Sequence, residues 1–235
     1  MDMYEIKMGF PARNALGTDL MIWLDEQLTL AGDQPVLLTG SGDAFCAGLN
    51  LKELAATSTQ DMPTFLGRID DFASRLFDHP EPTVAWINGH AIAGGCVLAL
   101  CCDYRVVQRS PKTRMGLNEV ALGACFPPRV LSIVKARLSA AHVHEVLLGA
   151  QLYDVDHALR LGLVDEVADD AEARSKDWLE KLAAHPRQTY HQTKRQLRTS
   201  VTEMSEKQRR RFLEVEIPIW TSAEMRQRVL AILGR

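Results

Sequence analysis

Ile87-Asn88-Gly89-His90-Ala91-Ile92-Ala93-Gly94-Gly95-Cys96 is the stretch whose reading decides the fold. An apolar run over residues 83–88 is stopped by Gly89, and the paired glycines Gly94-Gly95 open a second apolar run over 96–102. The first run, short and bounded by glycine, reads as a buried strand; the second fits a buried helix. Strand, glycine turn and buried helix in succession point to a layered α/β domain.

The same grammar extends outward. Residues 3–8 alternate as one short strand. Thr18–Ala31 places Leu20, Trp23, Leu24, Leu28 and Ala31 on one helical face. Residues 36–39 form another apolar strand, ended by the turn signal Gly40-Ser41-Gly42-Asp43. Tyr104–Gln108 reads as a further strand. From Pro127 the texture turns helical. Pro127-Pro128 opens one helix, Ser139 caps the next, and Asp154 caps a third that stops at Gly162. Residues 163–167 suit a last strand, and 171–233 are almost wholly helical, broken at His185-Pro186 and Ile217-Pro218. The expected organisation is an α/β core over 1–170 and a helical region over 171–235.

Composition narrows the function. The chain has 235 residues, 46% hydrophobic and 24% charged, enough to bury a core without disulfides or metals. A net charge of −3 gives no general attraction to nucleic acid or to an anionic membrane. No apolar run approaches the roughly 20 residues that span a bilayer. The opening residues have neither signal-peptide nor transit-peptide character, so the cytoplasm is the expected compartment. Cys46, Cys96, Cys101, Cys102 and Cys125 are odd in number and never spaced C-x-x-C, which favours buried thiols over disulfides or a zinc site. His142 and His144 are two apart and face different sides of a helix, unsuitable as a metal pair, and no metal is expected. The run Lys207-Gln208-Arg209-Arg210-Arg211 reads as a solvated helix face or a subunit contact.

Three glycine-containing segments carry the chemistry: Ala44-Phe45-Cys46-Ala47-Gly48-Leu49-Asn50-Leu51, the stretch quoted first, and Met115-Gly116-Leu117-Asn118-Glu119-Val120. None is a phosphate loop or a dinucleotide fingerprint. Two glycine turns after two strands can each free a backbone N–H toward a common crevice, and the second lies at a helix start, where unpaired N–H groups favour negative charge. Such a pair suits a developing enolate oxygen. The same turns also suit ordinary connections, and composition alone does not choose.

The order and spelling of the segments do. Phe45-Cys46-Ala47-Gly48-x-x-Leu51, then Asn88-Gly89-x-Ala91-x-x-Gly94-Gly95-Cys96 and Cys102-Asp103-Tyr104-Arg105, closely resemble the crotonase (enoyl-CoA hydratase/isomerase) superfamily. Asn14-Ala15-Leu16 and Ala158-x-x-x-Gly162-Leu163-Val164-Asp165 extend the likeness over nearly the whole chain. The resemblance implies an α/β crotonase-like (ClpP/crotonase) fold of repeated ββα units, with a C-terminal helical region that mediates assembly into a homotrimer or homohexamer. It implies an acyl-CoA thioester substrate, with coenzyme A as part of that substrate and no separate cofactor. It implies Leu49 and Gly94 as oxyanion N–H donors, the Ala47 carbonyl at the CoA adenine, and Arg13 as a candidate for a CoA phosphate. Val97, Leu122 and Phe126 would line the acyl tail. Family chains begin with a longer hairpin than the single strand found before Asn14 here.

Of the family's two acid/base positions this chain keeps one. Val97 occupies the place of the glutamate that follows Gly-Gly-Cys in family hydratases, and Glu119 occupies the other. Gly116-Leu117-Asn118-Glu119 is most similar to Δ3,Δ2-enoyl-CoA isomerases. Adding water uses two carboxylates well, whereas moving a double bond needs a single base. Glu119 is flanked by Leu117, Val120 and Leu122, so burial is expected to raise its pKa. The reading is therefore isomerisation. Hydration or another acyl-CoA hydrolase or lyase reaction on the same scaffold is one alternative, and a non-catalytic acyl-CoA-binding protein is the other.

Overall fold

Alternation along the short apolar strands explains how the main sheet is covered on both faces. The computed structural model describes residues 2–234; the outermost positions of the two expected regions, 1 and 235, lie outside the described residues. Its strands are β1 (Tyr4–Met8), β2 (Val36–Gly40), β3 (Ala44–Cys46), β4 (Thr83–Ile87), β5 (His90–Ile92), β6 (Tyr104–Gln108), β7 (Met115–Gly116) and β8 (Glu166–Ala168). Five form a parallel sheet in the order β1-β2-β4-β6-β8, and three form a smaller parallel sheet in the order β3-β5-β7. In the large sheet Leu38, Ala85 and Val107 face the main core, while Leu37 and Val84 face the other way, onto Leu179 of the helix Ala171–Ala183. Period-two alternation thus buries both faces.

The two sheets share a repeat. β2 and β3, β4 and β5, and β6 and β7 are consecutive pairs in which the first strand joins the large sheet and the second joins the small one, each followed by a helix. This is the ββα repetition expected of a crotonase-like fold. Because the small sheet is parallel, its three strands end side by side, and the chain leaves all three at one edge.

Several boundaries differ from the sequence expectations. The sequence reading gives residues 52–82 no element, yet Met62–Phe77 is a long helix burying Phe65, Leu66, Ile69, Phe72, Ala73 and Leu76, an i, i+3, i+4 pattern. The helix expected after Ser139 begins only at Val143. Asp154 does cap its helix, accepting from the His157 N–H, and Gly162 ends it in the left-handed region. Ile217-Pro218 does not break the C-terminal helices: a wider π turn over Phe212–Glu216 precedes Pro218, which sits in the first turn of Ile217–Trp220 and so has no helical N–H to lose. The break falls instead at Ser222, whose side chain caps Ala223–Leu233.

Candidate active site

Three loops leave the carboxyl ends of β3, β5 and β7, where crevices form in parallel sheets. Leu49 follows β3, Gly94 follows β5 and Glu119 follows β7. Hydrogen bonds along β5 fix this alignment, with Ala91 N–H donating to Arg114 O and Ala93 N–H to Gly116 O.

The first loop is clamped from both sides. Leu16 N–H donates to Gly48 O at 2.7 Å, and Asn50 N–H donates to Leu16 O at 3.0 Å. The Leu49 N–H between them has no hydrogen-bond partner among the described residues. Gly48 has φ +87°, and a Cβ there would lie 2.8 Å from Ile92 O, so only glycine lets the two loops touch. The second amide belongs to Gly94, the first residue of the helix Gly94–Cys101, where no intrahelical acceptor exists. A Cβ on Gly94 would be 3.9 Å from the Leu49 nitrogen, which places the two free N–H groups together.

Asn14 explains how the first loop is held. Its Oδ1 accepts from Phe10 N–H at 2.8 Å and its Nδ2 donates to Ala44 O at 3.1 Å and Phe45 O at 3.2 Å. These bonds hold Ala12, Arg13 and Asn14 at positive φ, a conformation that costs energy in non-glycine residues. In the sequence Asn14 stands only as part of the Asn14-Ala15-Leu16 motif.

The loops open on a cavity of about 240 Å³. Ala47, Leu49, Gly94, Val97, Glu119, Leu122 and Phe126 all line it. Arg13 does not: its side chain is exposed and pairs with Asp43 at 2.9 Å, although its carbonyl accepts from Ala47 N–H. Lining residues that the sequence reading missed include Leu66 and Ile69, from the helix Met62–Phe77, and Asn118, Trp220, Met225 and Ile232. The helical periodicity of 62–77 would have signalled the first two. The last three come from the C-terminal helices folding back over the pocket of their own chain, which no local pattern reports. Arg228 of the last helix donates to Ala121 O and to Glu224.

Glu119 is the single ionisable side chain lining this cavity among the described residues. It is 8% exposed, and its Oε2 has no hydrogen-bond partner. Burial pushes its pKa up to about 8, while its own backbone N–H draws it partway back. A carboxyl poised near neutrality, uncommitted and in apolar surroundings, can take a proton and return it.

His90 and the cysteines lie outside this lining. His90 Nδ1 accepts from Arg114 N–H at 3.1 Å. Cys46, Cys96, Cys101 and Cys102 are buried, and desolvation pushes their thiols up, Cys46 and Cys102 to about 12. Among the described residues, no helix is long and apolar enough to cross a membrane.

Paired ββα units with two free amides and a buried acid at the strand ends define a crotonase-class protein. The Enoyl-CoA hydratase/isomerase family model matches residues 2–227, and the chain belongs to that family of enzymes. It is 30% identical over 224 residues to mouse mitochondrial enoyl-CoA delta isomerase 1, spanning 92% of this chain and 76% of the mouse protein. It is 31% identical over 167 residues to crotonyl-CoA hydratase of Syntrophomonas wolfei, spanning 68% of this chain and 63% of the hydratase. Human mitochondrial delta3-delta2-enoyl-CoA isomerase superposes with a TM-score of 0.89 at 25% identity, covering 98% of this chain and 92% of the human one.

Proposed function

We propose that this protein is a Δ3,Δ2-enoyl-CoA isomerase in which Glu119 is the only acid/base. Glu119 takes a proton from C2 of a 3-enoyl-CoA thioester, which leaves a dienolate. The Leu49 and Gly94 amides hold the thioester oxygen as it gains charge, and such a donor is worth on the order of a hundredfold to a thousandfold in rate. Glu119 then returns the proton at C4, and the double bond ends conjugated with the carbonyl. The acyl tail lies against Val97, Leu122 and Phe126, the CoA adenine meets the Ala47 carbonyl at the mouth, and Arg13, outside the cavity, reaches a phosphate by opening its pair with Asp43. Coenzyme A arrives with the substrate, no other cofactor takes part, and the working form is a homotrimer or homohexamer in the cytoplasm.

The observation that carries this reading is one uncommitted carboxyl in an apolar cavity, whose lining, Val97 included, brings no second acid among the described residues. Similarity to the mouse and human isomerases supports it. Hydration is the second reading, favoured by the likeness to crotonyl-CoA hydratase. The deciding experiment mixes the protein with a 3-enoyl-CoA and follows the absorbance of the conjugated 2-enoyl thioester. The reading requires Glu119-dependent formation of that product. Faster conversion of a 2-enoyl-CoA into its 3-hydroxyacyl ester would overturn it in favour of hydration, and tight acyl-CoA binding with no turnover would favour a binding protein.

A further inference from the structure

The lining of the cavity divides by exposure. Leu152 and Ile232 are 38% and 37% exposed and belong to its mouth, whereas Leu54, Leu66, Ile69, Val130, Trp220 and Met225 are buried and close it from behind. A buried wall limits what an apolar tail can fill, because a close-packed interior gives way by little. The room can be counted. An apolar cavity of roughly 150 Å³ takes a six-carbon ring. At that packing the 240 Å³ here hold about ten carbon-sized atoms, the thioester carbonyl included. One part of the wall is thin. Leu54, Trp220 and Met225 also border a second void, of about 10 Å³, which Ala55, Met62 and Val229 line as well. Those three residues are therefore the partition between the two spaces, and Met225 is the unbranched, flexible one among them. Met225 also stands close to the reacting end. A Cβ on Gly123 would lie 4.0 Å from its Sδ, and Gly123 ends the helix Glu119–Leu122, one turn or roughly 6 Å beyond Glu119.

We propose that the substrate is a medium-chain acyl thioester, of about ten carbons at most, and that Met225 is the residue that sets this limit. The inference rests on reading the cavity as the acyl-thioester site. With C2 to C4 of the chain beside Glu119, the carbons that follow run along the helix Glu119–Leu122, and the methyl end meets the Met225 side chain. Each carbon that enters the apolar cavity leaves water and tightens binding about fourfold. A carbon beyond the limit must push Met225 into a void too small for it or stay in water at the mouth, and neither tightens binding. Trimming Met225 to alanine removes its Cγ, Sδ and Cε and joins the cavity to the void behind, which makes room for about three further carbons.

Calorimetric titration with saturated acyl-CoA esters of even length, from four to sixteen carbons, tests this, because they have no double bond to move and so report binding alone. Wild-type affinity is expected to rise about fourfold per carbon and to level off by about ten carbons. In Met225→Ala the break should move to about thirteen, so that the twelve-carbon ester gains roughly tenfold over wild type while the six-carbon ester stays within about threefold. If wild-type affinity keeps climbing through sixteen carbons, or if Met225→Ala leaves the break in place, the inference is overturned. Should Met225→Ala not fold, the ε-methyl ¹H–¹³C resonance of Met225 in the wild type decides: it shifts with the ten-carbon ester and not with the four-carbon one, and an equal or absent response overturns the assignment. If no ester binds, the acyl-thioester reading falls and takes this inference with it. A break in chain length without isomerisation of a 3-enoyl-CoA leaves the inference standing and removes the reaction; isomerisation without a break does the reverse.

Discussion

Glu119 and Asp103 are both buried carboxyl groups, and their surroundings are opposite. Asp103 lies under the helix Arg187–Thr202, where its Oδ2 accepts from Lys194 Nζ at 2.6 Å and Thr83 N–H at 2.7 Å and its Oδ1 accepts from Arg198 Nη2 at 2.6 Å. Burial alone would push its pKa up, but Lys194 and Arg198 outweigh burial and hold it below the usual carboxylate range. Glu119 has burial without the cations, and its pKa goes to about 8. Depth in the protein therefore does not separate a structural acid from a reactive one. The number of committed partners does: Asp103 has spent its lone pairs on the fold, and Glu119 has kept one oxygen free.

The sharpest way to break this contrast is Glu119→Gln, which keeps the volume and removes the proton carrier. Turnover of a 3-enoyl-CoA is expected to fall by roughly a thousandfold, within the range for loss of a general acid/base, while the fold survives. Asp103→Ala should do the opposite. It strands Lys194 and Arg198 without their counter-charge and is expected to cost about 3–5 kcal/mol of stability in urea unfolding, with the molecules that remain folded turning over within a few-fold of wild type. If Asp103→Ala abolished turnover without loss of stability, the division between the two acids would be wrong.

Smaller effects sharpen the comparison. Gly48→Ala forces a Cβ against Ile92 O and should move the Leu49 N–H; kcat is expected to drop by roughly a hundredfold with KM little changed, read by steady-state kinetics. The pH dependence separates the acids by sign. The folded pKa of Glu119 lies above its ordinary value of 4.5, so its contribution to stability is fully present below 4.5 and is lost as pH rises through about 8. Asp103 is held low, so its contribution is present above its ordinary value of 3.8 and is lost as pH falls through the folded one. Between about pH 7 and pH 9 kcat/KM should climb by about tenfold with an inflection near 8, because only ionised Glu119 can take the proton. Glu119→Gln should flatten the alkaline decline in stability, which thermal melts at pH 6 and pH 9 would detect.

The contrast was half legible in the sequence. In the sequence Asp103 stands only inside the Cys102-Asp103-Tyr104-Arg105 motif, and its partners Lys194 and Arg198 lie 91 and 95 residues further along the chain, beyond any local pattern. Glu119 stood out by the spelling Gly116-Leu117-Asn118-Glu119 and by its apolar neighbours. The Met62–Phe77 helix went unread despite its periodicity, and with it the Leu66 and Ile69 wall. Trp220 could not be placed at the cavity from its own surroundings, because Ile217-Pro218 suggests a break where the chain in fact continues through a π turn.

By itself the sequence determined the order of strands, glycine turns and helices, and the chemical identity of the groups at the three strand ends, because local pattern and residue type fix those. It also determined that Val97 brings no second acid. Only the tertiary structure decided that the Leu49 and Gly94 amides stay unpaired side by side, that Glu119 keeps a free oxygen, and that Trp220, Met225 and Ile232 close the cavity. Whether a polar atom is satisfied depends on everything packed around it, and those neighbours come from parts of the chain that no local window contains.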